Sequence, residues 1–477
     1  MQSRRSFCQI HFGTVDLGDK RRNHRLPQLV DELVRHPGGT LPQKLPNPED
    51  LEAFYRLCNA TKVTHAAVMA PHRERVLQKL QNTLQYLLVV HDATEFDFSS
   101  RTSLTKLGQI GNGLGRGYIV HQSLVVDPER GAVQGLVNQI LHTRAHVPEN
   151  EGKADKRERE SRESLLWLHG TEGLPSRKQI VDVCDRGADT FEFLEHEVKS
   201  GRTFVIRATH DRKIWLGHAG SEEEPTSLFE FVRMLPSLGD GEVAIRIPPR
   251  QRANSKQDLP TTRIARLQMS AAPIRLLAPH VHKGHHGNDP LAVWVVRIWE
   301  PNPPEGCEAL EWLLFTNHPC TKARDIRRVK SWYEWRWVIE EFHKGQKTGC
   351  AIEELQFRDE DRLKPALAIL SIVALTLLQL RDAARDPAAH TRRAAEIIDA
   401  EAIQILSQRI EGRPCPDWSL HDYALALAKL GGYRQRKNCP PGWMVLWRGQ
   451  IKLEMMLEGA RAFQQSQRKT KEKCAKR

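Results

Sequence analysis

Three acidic residues occupy positions where a metal-dependent active site could form. Asp92 and Asp185 each end a stretch with the composition of a strand, and Glu340 lies in a stretch with the composition of a helix. Because reactive groups collect at the strand ends of α/β sheets, the two aspartates should be neighbours. Three carboxylates without His or Cys ligands form a hard donor set, which suits Mg²⁺ or Mn²⁺ better than zinc or copper. Two such ions could activate a nucleophile and stabilise the leaving oxygen of a phosphoryl transfer.

The glutamate shares its helix face with cations. The stretch 331–349 contains no proline and is predicted to form one continuous helix. At about 100° per residue, one face carries Tyr333, Arg336, Glu340 and Lys347. The opposite side is apolar, with Trp335, Ile339 and Phe342. A solvated charged stripe is the alternative interpretation, but the apolar side favours a helix packed on a core, with its carboxylate at a cleft. Glu341 points about 100° away, which favours Glu340 as the ligand.

The order of predicted elements indicates an α/β core. Strands are predicted at 86–92, 118–126, 132–141, 179–185 and 203–207. The first three form an antiparallel meander, and helical segments precede the fourth strand and separate it from the fifth. This order is typical of a ribonuclease-H-like core. A β-rich insertion at about 213–317 interrupts the core before the helix that carries Glu340.

Helical segments flank this core, so we predict three domains. The N-terminal domain covers 1–70, the catalytic domain with its insertion covers 71–386, and the C-terminal domain covers 387–477. In the first domain, Asp19 and Asn47 are predicted helix caps. The last long helix has an apolar face between residues 443 and 457, which could be either intrachain core or a subunit interface.

Composition points to an anionic partner inside a reducing compartment. The formal net charge is +12, which favours nucleic acid, or secondarily an acidic membrane surface, as the partner. The nine cysteines show no CxxC pair, which argues against a disulfide framework or a zinc knuckle. No signal peptide is evident, and the apolar run 366–380 is shorter than the ~20 residues of a membrane span. We therefore expect a cytoplasmic protein with no membrane partner.

Several motifs together resemble a known family. The spacing Tyr-x2-Arg-x3-Glu-x6-Lys from Tyr333 to Lys347 is joined by Asp185-Arg-Gly-Ala-Asp189 and by the strand at 311–317. This combination resembles the IS4-type DDE transposases, and the resemblance runs nearly end to end. It implies a DNA transposase that uses two Mg²⁺ (or Mn²⁺) ions per active site, held by Asp92, Asp185 and Glu340. It also implies double-stranded DNA as partner, recognition of transposon ends by the N-terminal domain, and a homodimer formed through the C-terminal domain.

The resemblance also implies a set of DNA contacts. Tyr333, Arg336 and Lys347 would grip phosphates of the transposon end near the cleavage point. Trp312 matches a position that stacks on a flipped base, although a buried tryptophan of the β-rich insertion is the alternative. The remaining expected contacts are basic residues: Lys344, Arg207, Arg56, Arg21, Arg22 and Arg25.

Four alternatives remain open at this stage. Glu95 is an extra acid near Asp92, although strand alternation places it on the opposite face. The histidines at 280, 282, 285 and 286 could suggest a zinc site, but the segment is more typical of a flexible loop. The chain could be a ribonuclease-H-like nuclease without strand transfer. It could also be a DNA-binding regulator descended from a transposase, in which the acids have no catalytic role.

Overall fold

A computed structural model describes residues 7–36, 38–145, 161–216, 224–247, 262–279, 285–435 and 440–475, together with residues 152, 155 and 159. The N-terminal part is helical: α1 (Phe7–Phe12), α2 (Lys20–Arg35), α3 (Leu41–Lys44), α4 (Pro48–Cys58) and α5 (His65–Asn82). Asp19 caps α2 by accepting from the Arg21 amide, and Asn47 caps α4 by accepting from the Glu49 amide, so both predicted caps are confirmed.

A large mixed sheet follows these helices. Its first six strands are β1 (Leu87–Asp97), β2 (Gly108–Gln109), β3 (Arg116–Asp127), β4 (Ala132–His142), β5 (Ile180–Cys184) and β6 (Thr203–Arg207). Strands β1, β3 and β4 form the predicted antiparallel meander. Strand β5 pairs in parallel with β1 on one side and β6 on the other. The intervening helices are α6 (Leu165–Gly170) and α7 (Phe191–Lys199).

The β-rich segment between residues 213 and 317 extends this same sheet. It contributes β7 (Lys213–Trp215), β8 (Thr226–Ser227), α8 (Leu228–Met234), β9 (Gly239–Arg246), β10 (Thr262–Leu276), β11 (Leu291–Trp299) and β12 (Glu311–Thr316). Strand β12 pairs antiparallel with β6 and so joins the segment to the sheet. Strand β10 is the longest of the described strands, and it was not among the strand-like pieces predicted within the β-rich insertion.

The helix that carries Glu340 is interrupted, so the prediction of one continuous helix was wrong. It consists of α9 (Ala323–Glu334), α10 (Trp337–Lys344) and a π-helical turn (Gly345–Gly349). Between α9 and α10 the amides of Trp335, Arg336 and Val338 bond to carbonyls three residues earlier, which tightens the chain locally. The predicted apolar side is present, since Ile339 and Phe342 are buried in the main core.

Four helices complete the fold. They are α11 (Glu360–Arg385), α12 (Ala400–Glu411), α13 (Leu420–Leu430) and α14 (Trp443–Ala475). By length and composition α11 could cross a membrane, but 78% of its most apolar window is buried, as predicted for a core helix. The main hydrophobic core joins α2, α4, the sheet and α11. In α14, Leu446, Leu453 and Leu457 pack into a second core with α12 and α13, so that part of its apolar face is intrachain.

Candidate active site

Two of the three candidate acids come from neighbouring strands. The parallel pairing of β1 and β5 ends with His91 opposite Cys184. Asp92 and Asp185 are the residues that directly follow this last pair. Asp92 lies within β1 and not at its end as expected, because the strand continues to Asp97. Asp185 follows β5 and caps a short 3₁₀ helix by accepting from the Gly187 amide at 2.8 Å. The structure thus places both carboxylates at one edge of the parallel part of the sheet.

Glu340, the third acid, is linked to Asp92 by an arginine that contacts both carboxylates. Arg336 Nη2 donates to Glu340 Oε1 at 2.9 Å, and Arg336 Nη1 lies 3.8 Å from Asp92 Oδ2. Burial, together with the negative charges of Asp185 and Glu340, raises the pKa of Asp92 to about 7, although the Ala93 amide and Arg336 act to lower it. Three carboxylates whose negative charges repel one another form a site that favours the binding of a cation.

The raised pKa of Asp92 predicts how the stability of the fold depends on pH. Because the folded pKa of Asp92 lies above its unfolded value, its stabilising contribution is complete below about pH 4 and is lost as the pH rises through about 7. In a buffer with a metal chelator, Asp92→Asn should raise the stability at pH 8 by about 2–4 kcal/mol and should change it little at pH 4. Thermal melts of both proteins across this range test the expectation. An equal effect of the substitution at both pH values would contradict it.

The neighbouring acids point elsewhere, as predicted. Glu341 forms an ion pair with Arg381 of α11. Glu95 accepts from the Gly111 amide at 2.7 Å, on the face of β1 away from Asp92. Neither carboxylate therefore belongs to the candidate site.

A buried ionic cluster supports the sheet below the two aspartates. His91 Nε2 lies 2.9 Å from Asp182 Oδ1, and Arg202 pairs with both Asp182 and Glu197. All four side chains are buried. Burial alone would raise the pKa of the Asp182 carboxyl, but the contacts with Arg202 and His91 lower it. Breaking such a cluster would leave a buried charge unpaired, so it holds β1 and β5 in one register beneath the acids.

Tyr333 extends the site along α9. Its ring packs edge-on against Trp312 with 5.2 Å between centroids, and both side chains are buried. Burial raises the pKa of the Tyr333 hydroxyl, while the nearby guanidinium groups of Arg207 and Arg336 lower it. Tyr333, Arg207 and Arg336 therefore meet beside the acids. Stacking of Trp312 on a DNA base stays a prediction, because in this structure the ring is covered by the chain itself.

Within the described residues, the two lysines of this segment form no ion pair with the three acids. Lys347 Nζ is 3.7 Å from Glu353 Oε1. Hydrogen bonds from Ser99 lower the pKa of Asp97 at the far end of β1, and the charge of Lys347 adds a smaller effect in the same direction. Lys347 lies in the π-helical turn, whose wider winding changes the direction that a regular helix would give it. Lys344 is exposed at the end of α10.

Sequence reasoning missed one exposed aromatic residue beside the acids. Trp337 is 57% exposed, and the Arg336 guanidinium lies over its ring at 4.7 Å from the centroid. An exposed tryptophan among cations is a typical platform for stacking of nucleic-acid bases. The signal available in the sequence was a large aromatic residue on the polar side of α10.

A second basic surface lies between α2 and α4. A groove of about 580 Å³ is lined by Arg21, Arg22, Arg25 and Arg56, with Asp19 at its rim. Arg25 pairs with Asp50, whereas 93% of the Arg21 side chain is exposed. A neighbouring groove of about 560 Å³ shares Asn59 and adds Arg358 and Arg362, which sequence reasoning did not single out. The two grooves form a basic surface that is suited to a phosphate backbone.

The three acids fit a divalent cation by their donor chemistry. Within the described ranges, no three His, Cys, Asp or Glu side chains come close enough together to enclose a metal ion. Asp92 and Glu340 instead share the Arg336 guanidinium in this structure. Their oxygen-only donor set is nevertheless the type that Mg²⁺ and Mn²⁺ prefer. Of the four histidines considered for zinc, His280 and His282 lie outside the described residues.

Comparison with known families bears on the N-terminal helices. A family model described as transposase DNA-binding matches residues 4–63. The matched range contains α1 to α4 and the four arginines of the groove. The match therefore supports a transposase whose N-terminal part binds DNA.

Proposed function

We propose that the chain is a DDE transposase of the IS4 type, most similar to the Tn5 transposase. The observation that carries this proposal is that Arg336 contacts both Asp92 and Glu340 while Asp185 follows the strand next to Asp92, in a chain whose residues 4–63 match a transposase DNA-binding family. The meander β1–β3–β4 with β5 and β6 in parallel supports a ribonuclease-H-like catalytic core.

The side chains of the site divide into ligands and phosphate contacts. Asp92, Asp185 and Glu340 would hold two Mg²⁺ or Mn²⁺ ions, which would activate water and neutralise charge at the leaving oxygen. Arg336 would turn from the carboxylates toward the DNA, where its planar guanidinium can bind a phosphate through two hydrogen bonds. Arg207 and Tyr333 would hold the adjoining phosphate.

The proposed reaction consists of successive phosphoryl transfers at one site. Water attacks the phosphodiester at the transposon end, and the broken P–O bond leaves a 3′-hydroxyl. That hydroxyl attacks the opposite strand, so a hairpin forms as the flanking DNA leaves. A second water opens the hairpin, and the 3′-hydroxyl then attacks target DNA. In every step one P–O bond forms as another breaks, the nucleophile loses a proton and the leaving oxygen gains one.

DNA recognition and assembly are assigned to the two ends of the chain. The arginine groove between α2 and α4 would receive the terminal inverted repeat. Pairing of two ends needs two protomers, and the distal part of α14 offers Met455 and Phe463, each about two-thirds exposed, as apolar contacts. We propose that these residues contribute to a homodimer on DNA.

A reconstituted reaction tests the function. Purified full-length protein is incubated with Mg²⁺, a supercoiled target plasmid and a duplex that carries the inverted repeat flanking the coding sequence. We expect a nicked strand, a hairpin and a joined product on denaturing gels, and none of these with EDTA. Cleavage without a joined product would favour the nuclease. A gel shift without any metal-dependent nick would favour the regulator.

A further inference from the structure

Gln122 is a buried amide directly beside Asp92. The two residues are opposite each other in the antiparallel pairing of β1 and β3, so their side chains point to the same face of the sheet. Residues paired in this way have Cβ atoms about 4.5–5.5 Å apart. Gln122 is fully buried, and neither Oε1 nor Nε2 has a hydrogen-bond partner within the described part of the chain. An unpaired buried amide is destabilising, because it has lost its hydrogen bonds to water without replacing them, so its presence calls for a reason.

The next residue across the sheet shows that this layer can satisfy an amide. Gln139 is opposite Gln122 in the pairing of β3 and β4. Its Nε2 donates to Ser371 Oγ at 2.8 Å, and its Oε1 lies 2.9 Å from His65 Nε2. Two glutamines thus lie side by side on one face, and only the one next to Asp92 is left unpaired. Packing alone does not explain the difference.

The carboxylate of Asp92 has room for another donor. Its Oδ1 accepts from the Ala93 amide at 2.8 Å. Its Oδ2 lies 3.8 Å from Arg336 Nη1, which is an ion pair without a hydrogen bond. An ionised carboxylate can accept about four hydrogen bonds, and carboxylates that bind metals are usually oriented by such outer contacts.

We propose that Gln122 is a positioning residue for metal binding: its amide N–H, unpaired in this structure, donates to the Asp92 carboxylate when a divalent cation is bound and fixes the orientation of that carboxylate. The inference rests on the proposed function, since it needs Asp92 to be a ligand. Gln122 acts through Asp92 and does not itself touch the substrate. The unpaired amide is therefore a stability cost that serves the site.

The test compares Gln122→Leu with Gln139→Leu in the full-length protein. Mn²⁺ binding is measured by isothermal titration calorimetry without DNA, and folding is followed by Tm. Gln122→Leu should weaken the Kd for Mn²⁺ about 10- to 100-fold, in line with other outer contacts of metal ligands, and should keep or raise the Tm. Gln139→Leu removes satisfied hydrogen bonds, so it should lower the Tm and leave the Kd unchanged. Gln122→Met repeats the measurement with a side chain of nearly the original shape.

Asp92→Asn separates failure of this inference from failure of the proposed function. If Asp92→Asn weakens Mn²⁺ binding while Gln122→Leu and Gln122→Met do not, the amide has no positioning role and only this inference falls. If Asp92→Asn binds Mn²⁺ as tightly as the unmodified protein, Asp92 is not a ligand, and both proposals are wrong.

Discussion

Glu340→Gln is expected to abolish metal-dependent cleavage of transposon-end DNA while leaving DNA binding intact. The substitution keeps the shape of the side chain and its contact with Arg336, but it removes the negative charge. Loss of an outer contact to a metal ligand typically costs 10- to 100-fold, so loss of a direct ligand should reduce the cleavage rate by at least about 100-fold. Cleavage is measured with Mg²⁺ and separately with Mn²⁺, and binding is measured by gel shift.

Glu341→Gln is the matched control, one residue along the same helix. Glu341 pairs with Arg381, which keeps Asp382 as a second partner, so the substitution should cost only about 1 kcal/mol of stability. Its cleavage rate should stay close to that of the unmodified protein. Glu340→Gln that still cuts in Mn²⁺, or a Glu341→Gln protein as inactive as Glu340→Gln, would show that the wrong glutamate was assigned.

Local signals in the sequence predicted the elements that carry the site. Asp19 and Asn47 cap their helices as expected, because an N-cap depends on only a few neighbouring residues. The face of Glu340 could be distinguished from that of Glu341 because consecutive residues of a helix point about 100° apart. The alternation of side chains along a strand placed Glu95 on the face away from Asp92, where it accepts from the Gly111 amide. Each of these inferences spans only a few residues.

The errors come from features that depend on the rest of the fold. The prediction of one continuous helix over 331–349 assumed regular winding, whereas the chain has i→i−3 bonds near Trp335 and a π-helical turn after Lys344. Helical winding of this kind is set by packing against neighbouring elements, which a periodicity argument does not contain. The position of Gln122 beside Asp92 likewise could not be predicted from the sequence, because it depends on the register of β1 against β3. Register needs the partner strand as well as the strand itself.

The two candidate DNA surfaces should differ in what they contribute. In the proposed function the acids and Arg336 act on one phosphodiester, so their loss should affect rate more than affinity. The arginines between α2 and α4 lie in the part of the chain that matches transposase DNA-binding domains, so their loss should affect affinity first. Separate substitutions at the two surfaces can therefore assign recognition and chemistry to different residues.

The combined substitution Arg21→Ala, Arg22→Ala and Arg56→Ala should weaken binding of the transposon end about 10²- to 10³-fold at moderate salt. Each arginine that neutralises a phosphate releases counterions, so the slope of log affinity against log salt should fall by about 2.7 for the three. Titrations between 50 and 200 mM salt, roughly the range over which such contacts change affinity most, measure both quantities. Arg35→Ala is the control, because Arg35 is on the same helix as Arg21 and Arg22 and half its side chain is exposed, but it does not line the groove. An unchanged salt slope in the triple variant, or an equal loss in Arg35→Ala, would place the DNA on another surface.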